Sequence, residues 1–239
     1  VNSTSAQVNL LDINRLPIET NVNMTFYDHH TGNIHYNYVH TINHRGNPDT
    51  IPLDPVPVYD MVVHTLPPVR KDSITLTPGI HNIIAVDAPR GQLELKVSGS
   101  SNQYKDLHAI VKKKGDCEIL NMQDFKVKEK YLVGKYDLEI MTLPRLYLKD
   151  VEITQSNTTT IEIPNPGIVT LLANGQGYGS IYLEQEGKLQ WVYNINEYAT
   201  RETLALQPGN YRVVFRPQSA KQSIFTIERQ FTIKSGTST

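Results

Sequence analysis

Tyr59, Tyr136 and Tyr211 lie 77 and 75 residues apart, and that spacing constrains this chain more than any other feature of it. Tyr59-Asp60-Met61-Val62-Val63-His64-Thr65-Leu66-Pro67 runs in register with Tyr136-Asp137-Leu138-Glu139-Ile140-Met141-Thr142-Leu143-Pro144. Tyr, Asp, Thr, Leu and Pro (Pro67 and Pro144) recur, with apolar residues at matching positions between them. Gly209-Asn210-Tyr211-Arg212-Val213-Val214-Phe215 matches Gly134-Lys135-Tyr136-Asp137-Leu138-Glu139-Ile140 in turn. Repetition at a fixed period means one supersecondary unit used several times. The flanks repeat as well. Lys71-Asp72-Ser73-Ile74 corresponds to Lys149-Asp150-Val151-Glu152, and a further strand follows around residues 83–86 and 160–163. Each unit then crosses a proline-glycine joint, Pro89-Arg90-Gly91 or Pro164-Asn165-Pro166-Gly167. The reading is three tandem modules, at residues 1–88, 89–164 and 165–239.

The units read as all-β. In Val22, Met24 and Phe26 against Asn23, Thr25 and Tyr27, and again in Leu189-Gln190-Trp191-Val192-Tyr193-Asn194-Ile195, apolar side chains recur every second residue. That period places one sheet face on a core and the other in water. The 14 glycines and 14 prolines punctuate short runs rich in β-branched residues and tyrosine, and no stretch of a dozen residues keeps a helical period. Two antiparallel sheets face to face bury all the apolar faces, so each module is expected to be a small antiparallel β-sandwich. A unit this small buries a modest share of its surface alone, so contact with its neighbours should stabilise it.

Charge is balanced, 23 Lys+Arg against 24 Asp+Glu for a net −1, which argues against a nucleic-acid groove or an anionic membrane surface as partner. A single cysteine, Cys117, excludes an internal disulfide and a four-cysteine zinc site. No apolar run reaches the length of a membrane helix. Val1-Asn2-Ser3-Thr4-Ser5 has no signal-peptide character and reads as the cut edge of a longer protein.

The units resemble the transthyretin-like, or carboxypeptidase-regulatory-like, β-sandwich family. The residues that carry the likeness are Leu206-Gln207-Pro208-Gly209-Asn210-Tyr211-Arg212-Val213 and, in weaker form, Leu132-Val133-Gly134-Lys135-Tyr136; Leu53-Asp54-Pro55-Val56-Pro57-Val58-Tyr59 lacks the glycine. Gly209 is expected to take the positive φ of a tight turn, with Pro208 fixing the residue before it and the tyrosine anchoring the strand. Through Thr41-Ile42-Asn43-His44-Arg45-Gly46-Asn47-Pro48-Asp49-Thr50 and the segment before Tyr59, the chain is similar to the tail of Bacteroidetes von Willebrand factor A domain proteins. In that family a metal-dependent adhesion domain precedes the sandwich modules. Its Asp-x-Ser-x-Ser signature does not occur here, so only a stalk or accessory role is implied.

Candidate chemistry is sparse. The histidines at 29, 30, 35, 40 and 44 cluster in sequence, with Asp28-His29-His30-Thr31-Gly32-Asn33 as a hairpin loop. His29, His30 and His35 are the candidate metal ligands, against solvated turn residues as the plainer reading; His35 and His40 fall on opposite faces of one strand. Gly177-Tyr178-Gly179-Ser180 has the wrong order for a nucleophile elbow. Cys117 alternates with Ile119 and reads as a small core residue, and Glu184 with Glu186 as solvent charges on one strand. Tyr178, Tyr182, Trp191 and Tyr193 are candidates for a sugar-binding platform, but Trp191 shares a face with Leu189 and Ile195, which places it in the core. Sequons at Asn2, Asn23 and Asn157 matter only in a eukaryotic secretory setting.

The expectation is therefore a non-enzymatic module array without cofactor, lying outside the cytoplasm. It would space or present an upstream domain of the same polypeptide, or bind a protein partner. A carbohydrate- or peptide-binding module and an accessory domain of a hydrolase are the alternatives.

Overall fold

The computed structural model describes residues 3–99 and 103–239. The first group of strands is β1 (Ser5–Leu11), β2 (Val22–Asp28), β3 (Ile34–His40), β4 (Thr50–Ile51), β5 (Tyr59–Val63), β6 (Val69–Ile74) and β7 (His81–Asp87). The second is β8 (Arg90–Val97), β9 (His108–Lys113), β10 (Asn121–Asp124), β11 (Lys128–Leu132), β12 (Gly134–Ile140), β13 (Leu146–Ile153) and β14 (Thr158–Ile163). The third is β15 (Gly167–Leu172), β16 (Gly177–Gln185), β17 (Lys188–Asn194), β18 (Arg201–Leu206), β19 (Gly209–Pro217) and β20 (Ile227–Ile233), with one 3-10 turn at Ser223–Phe225.

The fold is all-β, in sandwich-type sheets. Each group forms two sheets around its own apolar cluster. The larger sheets run β3-β2-β5-β6, β10-β9-β12-β13 and β17-β16-β19-β20, and the smaller run β4-β1-β7, β11-β8-β14 and β15-β18. One feature was not readable from alternation. β1 pairs parallel with β7 and β8 parallel with β14, so the first and last strands of a group lie side by side and point the same way.

Tyr59, Tyr136 and Tyr211 occupy the third strand of the three larger sheets, on β5, β12 and β19. All three are buried, and each hydroxyl donates back to a carbonyl just upstream: Asp54 at 2.7 Å, Leu132 at 2.6 Å and Gln207 at 2.5 Å. This is the tyrosine corner of β-sandwiches, which ties the loop before the strand to the core. Gly134 and Gly209 open β12 and β19, paired with Ile153 and Ile233. The expectation of a positive φ at Gly209 is corrected: its backbone does not lie in that region. A Cβ there would stand 3.1 Å from Leu183 Cδ1.

The aspartate after the first two tyrosines has a local task. β6 and β13 carry bulges: Asp72 and Ser73 stand opposite Asp60 alone, and Lys149 and Asp150 opposite Asp137 alone, with φ +57° at both Ser73 and Asp150. Asp60 Oδ1 accepts the Ser73 amide at 3.0 Å, and Asp137 Oδ1 the Asp150 amide at 3.1 Å. The third group has Arg212 in this place and no bulge. Thr65 and Thr142 likewise donate to the carbonyls of Pro67 and Pro144, each at 2.7 Å.

Two further expectations are corrected here. Cys117 is exposed in the loop between β9 and β10 and Ile119 beside it is 56% exposed, because a Gly115 turn (φ +75°) and the Asp116 side chain hold that segment out of the sheet. Glu186 is not on a strand; it sits in the turn between β16 and β17 with φ +52°. Of the sequons, Asn23 lies on β2 and Asn157 in the turn before β14, while Asn2 is outside the described residues.

Candidate functional site

The two junctions between groups repeat one geometry. Only Ala88 and Pro89 separate β7 from β8, and only residues 164–166 separate β14 from β15. Across the first junction the Leu132 amide donates to the Leu66 carbonyl at 2.8 Å; across the second the Gln207 amide donates to the Leu143 carbonyl, also at 2.8 Å. Leu132 and Gln207 are the two residues whose carbonyls hold the tyrosine corners, and Leu66 and Leu143 stand before the paired prolines. Leu66 packs against the second cluster, Leu132 against the first, and Leu143 against the third. The Thr-Leu-Pro turn of one group thus docks on the corner loop of the next, twice in the same manner.

Each junction adds polar fastening of its own. At the first, the largely buried Arg90 pairs with Glu19 at 3.0 Å and donates to the Thr20 carbonyl at 2.5 Å, and Gln155 Nε2 reaches Glu19 at 3.0 Å. Arg90 and Glu19 sit on different strand groups, so sequence spacing alone could not pair them. At the second, buried Gln207 donates through Nε2 to the Tyr104 hydroxyl at 2.7 Å and to the Pro164 carbonyl at 3.1 Å.

The aromatic candidates separate into two sets. Trp191 is 55% exposed, which corrects its expected place in the core. The cause is a bulge: Ile181 faces Tyr193 and Tyr182 faces Trp191, leaving Val192 as the extra residue, and Val192 turns inward. A bulge shifts the alternation by one, so Trp191 and Tyr193 leave the common face that strict alternation gives them. Trp191 stands opposite Tyr182 on the outer face of the β17-β16-β19-β20 sheet, and Tyr178 on β16 is exposed too. Trp191 Nε1 and Ser180 Oγ both donate to Asn194 Oδ1 at 2.8 Å. Beside them Arg212 binds both oxygens of Glu184, at 3.0 and 3.2 Å, and pairs with Glu228. Tyr193 points the other way, to the Glu202 carboxylate on β18, and that hydrogen bond, with burial second, pushes its phenol up to about 12. An exposed indole and phenols flanked by fixed polar groups suit a ligand with an apolar face and a hydroxylated rim.

The histidines do not converge. His29 Nδ1 lies 2.7 Å from Asp60 Oδ1, His30 is exposed in the turn, and the His35 ring packs edge-on against Tyr59. His40 is buried, with Nε2 2.8 Å from the Val8 carbonyl, and is no solvated turn residue. Among the described residues no three His, Cys, Asp or Glu side chains are grouped as a metal would require. Ser180 has no base beside it in the contacts above, and no helix among the described residues is long and apolar enough to cross a membrane.

No protein-family model and no curated protein matches the chain. Among solved structures it is similar to the TIE protein of Bacillus anthracis, at 15% identity and TM-score 0.27, over 98% of this chain and 49% of that one. It therefore spans about half the length of that protein. It is also similar to a minor pilin of Streptococcus agalactiae, at 12% identity and TM-score 0.30, over 69% of this chain and 95% of that one. A pilus adhesin of Lactobacillus rhamnosus GG follows at 11% identity and TM-score 0.26, over 90% of this chain and 36% of that one.

Proposed function

We propose that the chain is a non-catalytic array of three β-sandwich modules, divided at residues 1–88, 89–164 and 165–239. In this reading it serves as the spacer and interaction region of a larger adhesion-type protein outside the cytoplasm, with transthyretin-like modules and a von Willebrand factor A domain elsewhere in the parent polypeptide. The observation that carries the proposal is the repeated junction. A linker of two or three residues, an amide-to-carbonyl bond at 2.8 Å and a half-buried leucine packed against the neighbour's core leave little freedom between modules. Flexible linkers are longer and lack such contacts. A chain meant to hold a binding domain at a set distance needs junctions of this kind. Small-angle scattering of the chain tests it: an elongated particle of fixed length is expected. A compact profile, or an ensemble of freely hinged beads, overturns it.

The exposure of Trp191 beside Tyr182 favours a second reading, a carbohydrate- or peptide-binding face on the third module. A glycan and peptide array probed with the chain and with Trp191→Ala separates the two. Binding lost in the variant supports the second reading, and no binding by either protein removes it.

A further inference from the structure

The third group is built like the other two up to its last strand, where it stays open. A residue with positive φ turns the chain into the final strand in every group: Gly79 (+74°), Ser156 (+55°) and Gly236 (+71°). The bonds after it match. The Ser156 amide donates to the Arg90 carbonyl at 3.0 Å and the Gly236 amide to the Pro166 carbonyl at 2.9 Å; the Gln92 amide donates to Asn157 and the Ile168 amide to Thr237, each at 2.8 Å. Even the glycines correspond, since a Cβ on Gly91 or Gly167 would strike the carbonyl of Thr154 or Lys234, 2.1 and 2.6 Å away. Residues 237–239 thus enter a parallel strand beside β15, with Ile168 opposite Ser238, the Thr170 amide on the Thr239 carbonyl at 2.9 Å and the Thr239 amide on the Ile168 carbonyl at 2.7 Å.

Beyond Thr239 lies a cleft of about 980 Å³ between the two sheets of the group, with Val169, Leu171, Val213, Phe215, Ile227 and Phe231 among its lining. Glu202 and Arg229 are its charged members. Its effect on packing is direct. Among the described residues six apolar side chains are buried in the third cluster, against sixteen in the first and twelve in the second. In the closed groups the corresponding space holds the remainder of β7 and β14, where Ile84, Val86 and Ile163 are buried and Ile161 packs against the core.

We propose that this cleft is the seat of a β-strand supplied by chain running on directly from Thr239. The register set by β14 gives the occupant: four residues paired with Thr170, Leu171, Leu172 and Ala173, apolar at the second and fourth. Those two positions are Ile84 and Val86 in the first group and Ile161 and Ile163 in the second. The source is the chain itself because the turn, the parallel direction and the first bonds of the strand are already in place. A strand delivered in cis also meets the edge at high effective concentration.

The test extends the full chain past Thr239 with Thr-Ile-Glu-Ile, and in a control with Thr-Asn-Glu-Asn. The apolar extension is expected to raise the unfolding midpoint of the third unit by on the order of 5 °C or more, and to slow hydrogen exchange at the Leu172 amide, the next β15 donor in register, by about tenfold or more. The control should do neither. Identical behaviour of both extended chains and the parent overturns the proposal. Protection of Leu172 in the unextended chain that grows with protein concentration makes a second copy the occupant and overturns it too. So does equal protection by a free Thr-Ile-Glu-Ile peptide with none from the tethered one.

Discussion

The tyrosine corner is worth most to the chain through what its loss exposes. Removing the Tyr136 hydroxyl leaves the Leu132 carbonyl without its buried donor, and Leu132 is also the residue whose amide holds Leu66 of the preceding group. Tyr136→Phe is expected to destabilise by about 1–3 kcal/mol, the cost of an unpaired buried polar group, read from denaturant midpoints. The aspartates beside the corner set an acid limit. Amide donation from Ser73 and Asp150, first among the causes, holds the Asp60 and Asp137 carboxyls below their ordinary value. A carboxylate lowered in the folded state contributes stability above its unfolded value, about 3.9, and loses it as pH falls through the folded value. Burial holds the His40 imidazole low as well, so its contribution fades at milder acidity, as pH falls below about 6.5. Asp60→Asn with Asp137→Asn should flatten the stability loss below about pH 4 and leave the milder His40 step in place, measured by chemical denaturation across pH.

At the level of strands, the bulge in β17 has a spectroscopic consequence. Trp191 is the only tryptophan, so native fluorescence reports that face alone. The emission should be red-shifted and quenched by iodide in the folded protein; shielding from iodide would return Trp191 to the core. The contrast with Tyr59 shows what alternation can and cannot tell. Tyr59, Tyr136 and Tyr211 were legible because a residue period survives translation into strand order, and the Thr-Leu-Pro turns were legible for the same reason. Trp191 was not, because one extra residue at Val192 reverses every assignment on one side of it, and nothing in the residues around Val192 marks the insertion. Cys117 was misplaced by the opposite error: two apolar residues at the right spacing lie in a loop that Gly115 has already turned away from the sheet. The parallel pairs β1·β7 and β8·β14 join residues some 70 apart, a relation that strand patterns leave open.

Across the whole molecule, the first junction carries a buried ion pair whose partners cannot be removed singly without cost. Arg90→Ala strands the Glu19 carboxylate and is expected to cost about 3–5 kcal/mol, while Arg90→Met together with Glu19→Leu should recover most of it. Scattering on the single variant would show loosening at that junction, and an unchanged profile with unchanged stability would mean the pair contributes nothing. The parallel pairing has a different reach. Because β1 and β7 run side by side in the same direction, the chain comes into the group at one end of the pair and leaves at the other. Tension applied at Ser5 and at Asp87 would pull these strands past each other lengthwise, loading every bond between Ser5–Leu11 and His81–Asp87 together rather than peeling them in turn. β8 and β14 are arranged to bear force in the same way over six paired positions. Pulled in a single-molecule instrument, each of the first two groups should therefore give way in one abrupt event at high force, and a gradual low-force lengthening would count against this reading.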